Sequence, residues 1–419
     1  MRIVMVYQHF MLDGVGSTKP YDVARLLVAA GHQVTVICGR GYLAQGMDVP
    51  RGLVRRLRFG GVEVVCLGVD YRQRMGFARR IASFLAFTLL SMLVVLRLPR
   101  YDVLLASSTP LTVGLTGLVS WYLRGIPYVF EIRDLWPEVP FQAGFLKSRL
   151  LVAVSTFFEK WFYRKAAAVC AVSRRMADRL IERGVPAEKV HFIPTGVDVA
   201  AFEVEPDREF LRRHGLEGAW VAVYLGAHGR VNGLDALLDA ADELKGSPGL
   251  RIVLIGDGSE KPRLEAEAAR RGLAPVLRFL PPVPRAAVPG ILKACDAMLM
   301  INRSGPGMQY VMPNKFFDYL ASGRPIVTNV EAELTGWVRE ADCGLVAKPD
   351  DPAGLARALE RLRADPQAAR AMGDRGRALA ADRFDRRRLA VDLEKVLAAA
   401  ACPGRDGAGP PAGVGEGNA

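Results

Sequence analysis

Two charged clusters carry the chemistry on offer in this chain. The first is Asn314, Lys315 and Asp318, within Met312-Pro-Asn-Lys-Phe-Phe-Asp-Tyr-Leu-Ala-Ser-Gly-Arg-Pro-Ile-Val327. Pro313 and Asn314 signal a helix start with Asn314 as N-cap, Lys315 and Asp318 lie three apart on one helix face, and Gly323-Arg-Pro ends the helix before a strand. A helix N-terminus with a cation beside it suits a diphosphate, because free amides and the macrodipole favour anions and Lys315 adds a full charge. Asp318, one turn deeper, can accept both hydroxyls of a ribose diol. Taken alone, the segment is equally an amphipathic helix with two solvated charges. The second cluster is Glu131, Arg133 and Asp134 in Phe130-Glu-Ile-Arg-Asp-Leu-Trp-Pro-Glu138, directly after an apolar run of strand length. Charges at the carboxyl end of a parallel strand point into a ligand crevice. There Asp134 can orient a hydroxyl or take its proton, and Arg133 can hold a phosphate or pair with Glu131 or Glu138.

The elements that must position these groups alternate between strand and helix. Apolar runs at Arg2–Tyr7, His32–Ile37, Val62–Cys66, Val103–Ala106 and Tyr128–Glu131 predict strands, with helical patterns such as Pro20–Ala30 between several of them. A second series runs through Trp220–Leu225, Arg251–Ile255, Leu277–Leu280, Ala297–Ile301, Ile326–Thr328 and Gly344–Val346. The pattern is doubly wound α/β, run twice. At 419 residues, two domains of about 200 residues each are expected. Residues 1–200 form the first, ending near Val190–Asp198 and joined by a C-terminal helix over 382–400. Residues 207–381 form the second, and the Gly/Pro/Ala-rich tail 403–419 is expected to be disordered.

The net charge of +12 lies wholly in the first half, which holds 26 Lys+Arg against 14 Asp+Glu, while residues 201–419 hold 30 of each. Such asymmetry points to a polyanion partner, and without aromatic-rich basic motifs it points away from nucleic acid and towards an anionic membrane surface. Ile81–Leu96 is a run of 16 mostly apolar residues flanked by Arg79, Arg80, Arg97 and Arg100. It is short for a span, so it reads as a helix in the membrane interface or as a buried helix of the first domain. Phe145–Lys165, with Trp161 among several cations, can extend the same surface. The six cysteines are scattered and indicate neither a zinc cluster nor a disulfide framework, which fits a reducing cytoplasm. The opening residues read as a strand rather than a secretion signal.

Several separated motifs resemble those of retaining family 4 glycosyltransferases of GT-B fold. They are the Gly14-Val-Gly16-Ser17 loop, Gly31–Val36, Val172-Ser173, Ile193-Pro-Thr-Gly-Val-Asp198, Gly256-Asp-Gly-Ser-Glu-Lys261 and Asn314–Pro325. The Phe130–Glu138 segment is similar to a branch that transfers amino sugars or deoxysugars in bacterial surface polysaccharide synthesis. The resemblance implies two Rossmann-like domains facing a central cleft, a nucleotide sugar held by the C-terminal domain, an acceptor held by the N-terminal domain, and no metal or other cofactor. It implies displacement on one face of the anomeric carbon, with no covalent intermediate.

On that resemblance, Gly16 and Ser17 approach the leaving diphosphate, Gly256 gives the donor room, Val283 in Leu280-Pro-Pro-Val283 borders the base, and Asn314, Lys315, Phe316 and Asp318 form the donor clamp. Many relatives place an Arg and a Lys where this chain has Ala227 and Asn232, and a first acidic residue where it has Tyr310. The diphosphate charge therefore falls to Arg230 and Lys315, and the less acidic loop Gly305–Tyr310 suits an N-acetylamino or deoxy sugar, most simply UDP-linked. His228 reads as a loop residue. Asp134 and Lys315 are the expected catalytic residues, and Lys19, Glu131 and Arg133 the expected acceptor-binding ones. The expected acceptor is a polyprenyl-diphosphate-linked saccharide, met by a cytoplasmic protein peripheral on the inner face of the membrane. The alternatives are a GT-B sugar-nucleotide epimerase and an inactive, membrane-bound nucleotide-sugar-binding protein.

Overall fold

The computed structural model describes residues 1–12, 18–43, 49, 52–71, 75–136, 138, 141, 148–305 and 307–402. The tail expected to be disordered, 403–419, lies outside them, as do Phe145 to Lys147 of the second amphipathic segment. The chain divides into two compact units, one comprising Met1–Leu12, Pro20–Ile193 and the chain from Ala390, the other chiefly Pro194–Leu389. The helix Arg386–Ala401 therefore starts in the second unit and ends in the first, where Glu394 meets His32 at 2.7 Å.

The first unit is built on eight strands: β1 (Arg2–Tyr7), β2 (Gln33–Gly39), β3 (Val54–Phe59), β4 (Val62–Leu67), β5 (Val103–Ser107), β6 (Tyr128–Ile132), β7 (Ala168–Ala171) and β8 (Val190–Phe192). Their order is β3-β4-β2-β1-β5-β6-β7-β8, and every pair but β3–β4 is parallel. Strands such as β5 and β6 are buried along their whole length, which is why they read as continuous apolar runs rather than alternating ones. Two strands escaped the sequence reading. Val-Arg-Arg-Leu-Arg-Phe forms β3, an edge strand turned back onto β4 through Gly60 and Gly61 at φ +53° and +84°. Its three arginines discourage further pairing at that edge. Ala-Val-Cys-Ala is too short and small-sided to stand out as an apolar run, yet it is fully buried as β7.

The second unit has six parallel strands: β9 (Trp220–Leu225), β10 (Leu250–Ile255), β11 (Leu277–Leu280), β12 (Ala297–Met300), β13 (Ile326–Thr328) and β14 (Gly344–Val346). Their order is β11-β10-β9-β12-β13-β14. Leu237, Leu238, Ile252, Leu254, Leu299 and Leu359 fill the core between this sheet and its helices. Each sheet is doubly wound, and the strand order reverses between β1 and β5 in one and between β9 and β12 in the other. Ligands of open parallel sheets bind beyond the carboxyl ends of the strands at such reversals. Both charged clusters lie near these carboxyl ends: Glu131 is the penultimate residue of β6, next to β5, and the helix Asn314–Ala321 follows β12 on the way to β13.

Candidate active site

In the second unit, β9 ends at Leu225 and runs into Gly226-Ala-His-Gly229, which is joined to the loop after β10. The His228 amide donates to the Asp257 carbonyl at 2.9 Å, and the His228 carbonyl accepts from the Glu260 amide at 3.0 Å. The backbones approach so closely that a Cβ on Gly256 would lie 1.9 Å from the Gly226 carbonyl oxygen, and one on Gly258 would lie 2.3 Å from that of His228. Both glycines thus make room for the neighbouring loop. Gly256→Ala is therefore expected to destabilise the second unit by about 2 kcal/mol or more through backbone overlap, readable as an earlier urea transition.

Lys315 reaches this loop from the helix Asn314–Ala321. Its Nζ lies 3.8 Å from the centroid of the Tyr224 ring, on β9, and donates to the Tyr224 hydroxyl at 2.6 Å. That hydroxyl donates in turn to the Ala227 carbonyl at 2.8 Å. Burial pushes the Lys315 ammonium down to about 7, because charge is costly where water is excluded. The helix begins at Asn314 with Pro313 in the cap position and no side-chain cap, so Asn314 is the first helical residue rather than the N-cap. The end facing Lys315 therefore has no side chain competing for its amides. Arg230 sits on the same loop, exposed and with no ion pair among the described residues.

Asp318 does not stand alone on its helix face. Arg285 holds its carboxylate in a fork, with both contacts at 2.6 Å. Arg285 directly follows the loop after β11 that contains Val283, so the fork ties the expected base-binding loop to the clamp helix. Two of a carboxylate's roughly four acceptor positions remain for a diol. Nothing local in the sequence marks a pair 33 residues apart. Phe316 points inward, fully buried and stacked on Trp337 at 6.0 Å, so its ring serves the core. His228 is fully buried between Tyr224 and Phe279, with neither ring nitrogen hydrogen-bonded. Burial and the nearby Lys261 and Lys315 cations hold it at about 4, hence neutral.

In the first unit, Glu131 is buried and braces the strand ends. Its Oε2 accepts from the Tyr7 hydroxyl at 2.7 Å and from Ser107 Oγ at 2.5 Å. Burial, then the adjacent Glu131 charge, pushes the Tyr7 hydroxyl well above its ordinary range. The loop after β5 supports the loop after β6: the Arg133 amide donates to Ser108 Oγ at 3.1 Å, and Thr109 Oγ1 donates to the Asp134 carboxylate at 2.9 Å. Asp134 is exposed. Arg133 forms no ion pair among the described residues, and Glu138 is engaged by Arg179 and Arg183 instead. Burial, then the Arg133 cation, holds His9 at about 4. Lys19, which groups with the second unit, opens the helix Lys19–Ala29 and is buried. Gly16 and Ser17 lie outside the described residues.

Residues 17–196 match the Glycosyl transferase 4-like domain, and residues 219–365 match Glycosyl transferases group 1. The chain belongs to the GT-B glycosyltransferases. Among relatives of this glycosyltransferase is WcaI of Escherichia coli K12, named for colanic acid biosynthesis, 32% identical over half of this chain. That match spans 53% of WcaI, about half its length. WbjE of Pseudomonas aeruginosa, named as a glycosyltransferase, is 27% identical over 68% of this chain and 72% of its own. The structure of Anabaena HepE with UDP-glucose superposes with a TM-score of 0.71 over 95% of this chain and all of that one, at 18% identity. That likeness is one of fold.

Proposed function

We propose that this glycosyltransferase moves a sugar, with retention, from a nucleotide sugar to a lipid-linked acceptor in bacterial surface polysaccharide synthesis. The observation that carries this reading is the Lys315 ammonium, set over Tyr224 beside the end of β9, at the head of an uncapped helix and reaching the loop that carries Arg230. It is a largely desolvated cation with no carboxylate partner among the described residues, and a nucleotide diphosphate is a chemically matched partner. WcaI, named for colanic acid synthesis, supports the polysaccharide setting, and HepE, which shares the fold and binds UDP-glucose, supports a UDP donor.

In the proposed reaction the bond from the anomeric carbon to the β-phosphate oxygen breaks, and both electrons leave with the diphosphate. Lys315, Arg230 and the helix amides stabilise the growing negative charge, usually the largest catalytic contribution. The acceptor oxygen bonds to the anomeric carbon on the face the diphosphate leaves, and its proton passes to a phosphate oxygen or to Asp134. Asp318 retains acceptor positions for the ribose, and the loop through Gln309 and Tyr310, with no carboxylate of its own, suits an N-acetylamino or deoxy sugar. No metal is required by this scheme. The acceptor is a polyprenyl-diphosphate saccharide, with Arg133 holding its phosphates at the cytoplasmic face of the membrane.

Mass-spectrometric assay of a panel of UDP- and GDP-sugars with a short polyprenyl diphosphate saccharide tests the reading. Transfer is expected with at least one UDP-linked N-acetylamino or deoxy sugar, and Asp134→Asn should slow it about tenfold, the loss of one charge-assisted hydrogen bond. Donor binding without transfer across the whole panel would sink the transferase reading, and interconversion of the donor sugar alone would make the protein an epimerase.

A further inference from the structure

The helix Phe77–Arg97 buries a row of hydroxyls alongside Phe84, Phe87 and Val95 and leaves its leucines outside. Its inner face meets the helix Val113–Arg124 through hydroxyls: Thr88 Oγ1 lies 2.7 Å from Thr112 Oγ1, and Ser91 Oγ lies 2.7 Å from Thr116 Oγ1. Arg124 closes the seam by donating to the carbonyls of Val95, Leu96 and Leu98 at 2.7 to 3.1 Å. Leu85, Leu89, Leu93 and Leu96 recur every three or four residues on the opposite face and are exposed, Leu89 by 57%. Small and hydroxyl-bearing residues between helices with leucine outside is the packing used where the surroundings are themselves apolar.

The apolar face continues across two more helices. Tyr122 and Leu123 extend it on Val113–Arg124, with Leu123 exposed by 65%. Leu150, Val154 and Phe157 extend it on Arg149–Lys165, with Phe157 exposed by 64%. Gly114 lets these last two helices close up, since a Cβ there would lie 2.3 Å from the Phe162 ring. The Trp161 ring, 6.3 Å from Tyr122 and 6.2 Å from Phe157, joins them on the outside. The charges on these helices are one-sided. Arg79, Arg80 and Arg97 lie on the first, and Arg149, Lys160 and Arg164 on the third. Their single acid, Glu159, is buried under Arg183 and Tyr163.

We infer that these three helices form a docking platform for an anionic phospholipid surface, with the leucine, tyrosine and phenylalanine side chains entering the acyl boundary and the cations on the headgroups. Charge decides the occupant: a second copy of this chain would bring like charges together, whereas an anionic surface complements them. The helix Phe77–Arg97 is long and apolar enough to cross a bilayer, but its inner face is committed, Ser83 donating to the Asp70 carbonyl at 2.9 Å and accepting from Gln8 at 3.2 Å. It lies on the membrane and does not cross it. The inference deepens the reading of a membrane-borne acceptor and rests on it for its setting.

Co-sedimentation of the full chain with phosphatidylcholine vesicles, with and without phosphatidylglycerol, tests the platform. Binding is expected only with phosphatidylglycerol, weakening as salt rises. The triple variant Leu89→Ser, Leu123→Ser, Phe157→Ser should partition at least about tenfold less, since each side chain loses an apolar burial. Its thermal unfolding and its turnover on a water-soluble short-chain acceptor should match those of the parent protein. Equal vesicle binding by parent and variant would overturn the platform, as would a concentration-dependent dimer that the variant abolishes. Vesicle binding through these residues without transfer to any lipid-linked saccharide would leave the platform standing and remove the acceptor reading.

Discussion

Replacing Lys315 by methionine is expected to lower turnover by about 10²- to 10³-fold, the usual effect of removing one group that stabilises the leaving charge, while leaving the second unit at least as stable as before. The two halves of this prediction have separate causes. The ammonium sits over the Tyr224 ring with no carboxylate partner among the described residues, so in the absence of donor its charge is a cost to the fold. Methionine fills nearly the same volume without that cost. A purely structural lysine would give the opposite result, lost stability and spared turnover. The pH dependence sharpens the test. With the folded-state value at about 7, below the unfolded value of about 10.4, the unfolded chain binds more protons between those limits. Lys315 therefore contributes a rise in stability with pH from near 7 upward. Donor binding runs the other way, because the diphosphate requires the ammonium and the free protein must take up a proton above pH 7. Calorimetric affinity for UDP is expected to weaken by up to about tenfold per pH unit above 7 in the parent protein, and to show no such slope in Lys315→Met.

Asp318→Ala is expected to cost about 3 kcal/mol of stability, because it strands the Arg285 guanidinium in a partly buried site without its fork partner. Arg285→Ala should cost a similar amount by stranding the carboxylate, and the double variant less than the sum of the two. Urea unfolding of the four proteins reads the coupling directly. The ribose role is tested separately by comparing UDP with 2′-deoxy-UDP. If Asp318 accepts from the diol, the parent protein should prefer UDP, and Asp318→Asn should lose most of that preference while Arg285→Lys retains part of it. Unchanged discrimination in Asp318→Asn would leave Asp318 a brace between the loop after β11 and the clamp helix, and nothing more.

Much of the fold was legible because a doubly wound sheet buries its strands on both faces and so writes them as apolar runs at helix-length intervals. Where that physics does not apply, the reading failed: β3 alternates because it is an edge, and β7 is short with small side chains. The site was legible to the extent that chemistry follows chain position. Lys315 could be assigned to the head of a helix, and Glu131, Arg133 and Asp134 to the end of a strand. What could not be read was pairing across the fold. Arg285 is as anonymous in the sequence as any surface arginine until β11 ends beside the clamp helix. Tyr224 looked like one more strand residue, yet it is what Lys315 rests on. Nor does the sequence show that the missing side chains at Gly256 and Gly258 let the Gly226–Gly229 backbone close in.

That loop-to-loop closure also bears on how such an enzyme changes its sugar. The turns after β9 and β10 are each other's mould: Gly226 constrains 256, and His228 constrains 258. A substitution in one must be answered in the other, so this half of the second unit is expected to drift little. The loop after β12 is tied to the first of these turns at Arg303, whose amide donates to the Val231 carbonyl at 3.0 Å and whose backbone lies 2.8 Å from a Cβ built on Gly233, whereas nothing lies within 4 Å of a Cβ built on Gly305. On the proposed reading, diversification of donor preference would have a partition, a chassis that varies only in concert and a segment beyond Arg303 that answers to fewer neighbours. A transplant confined to 304–311, leaving Arg303 in place, is the natural unit for engineering it.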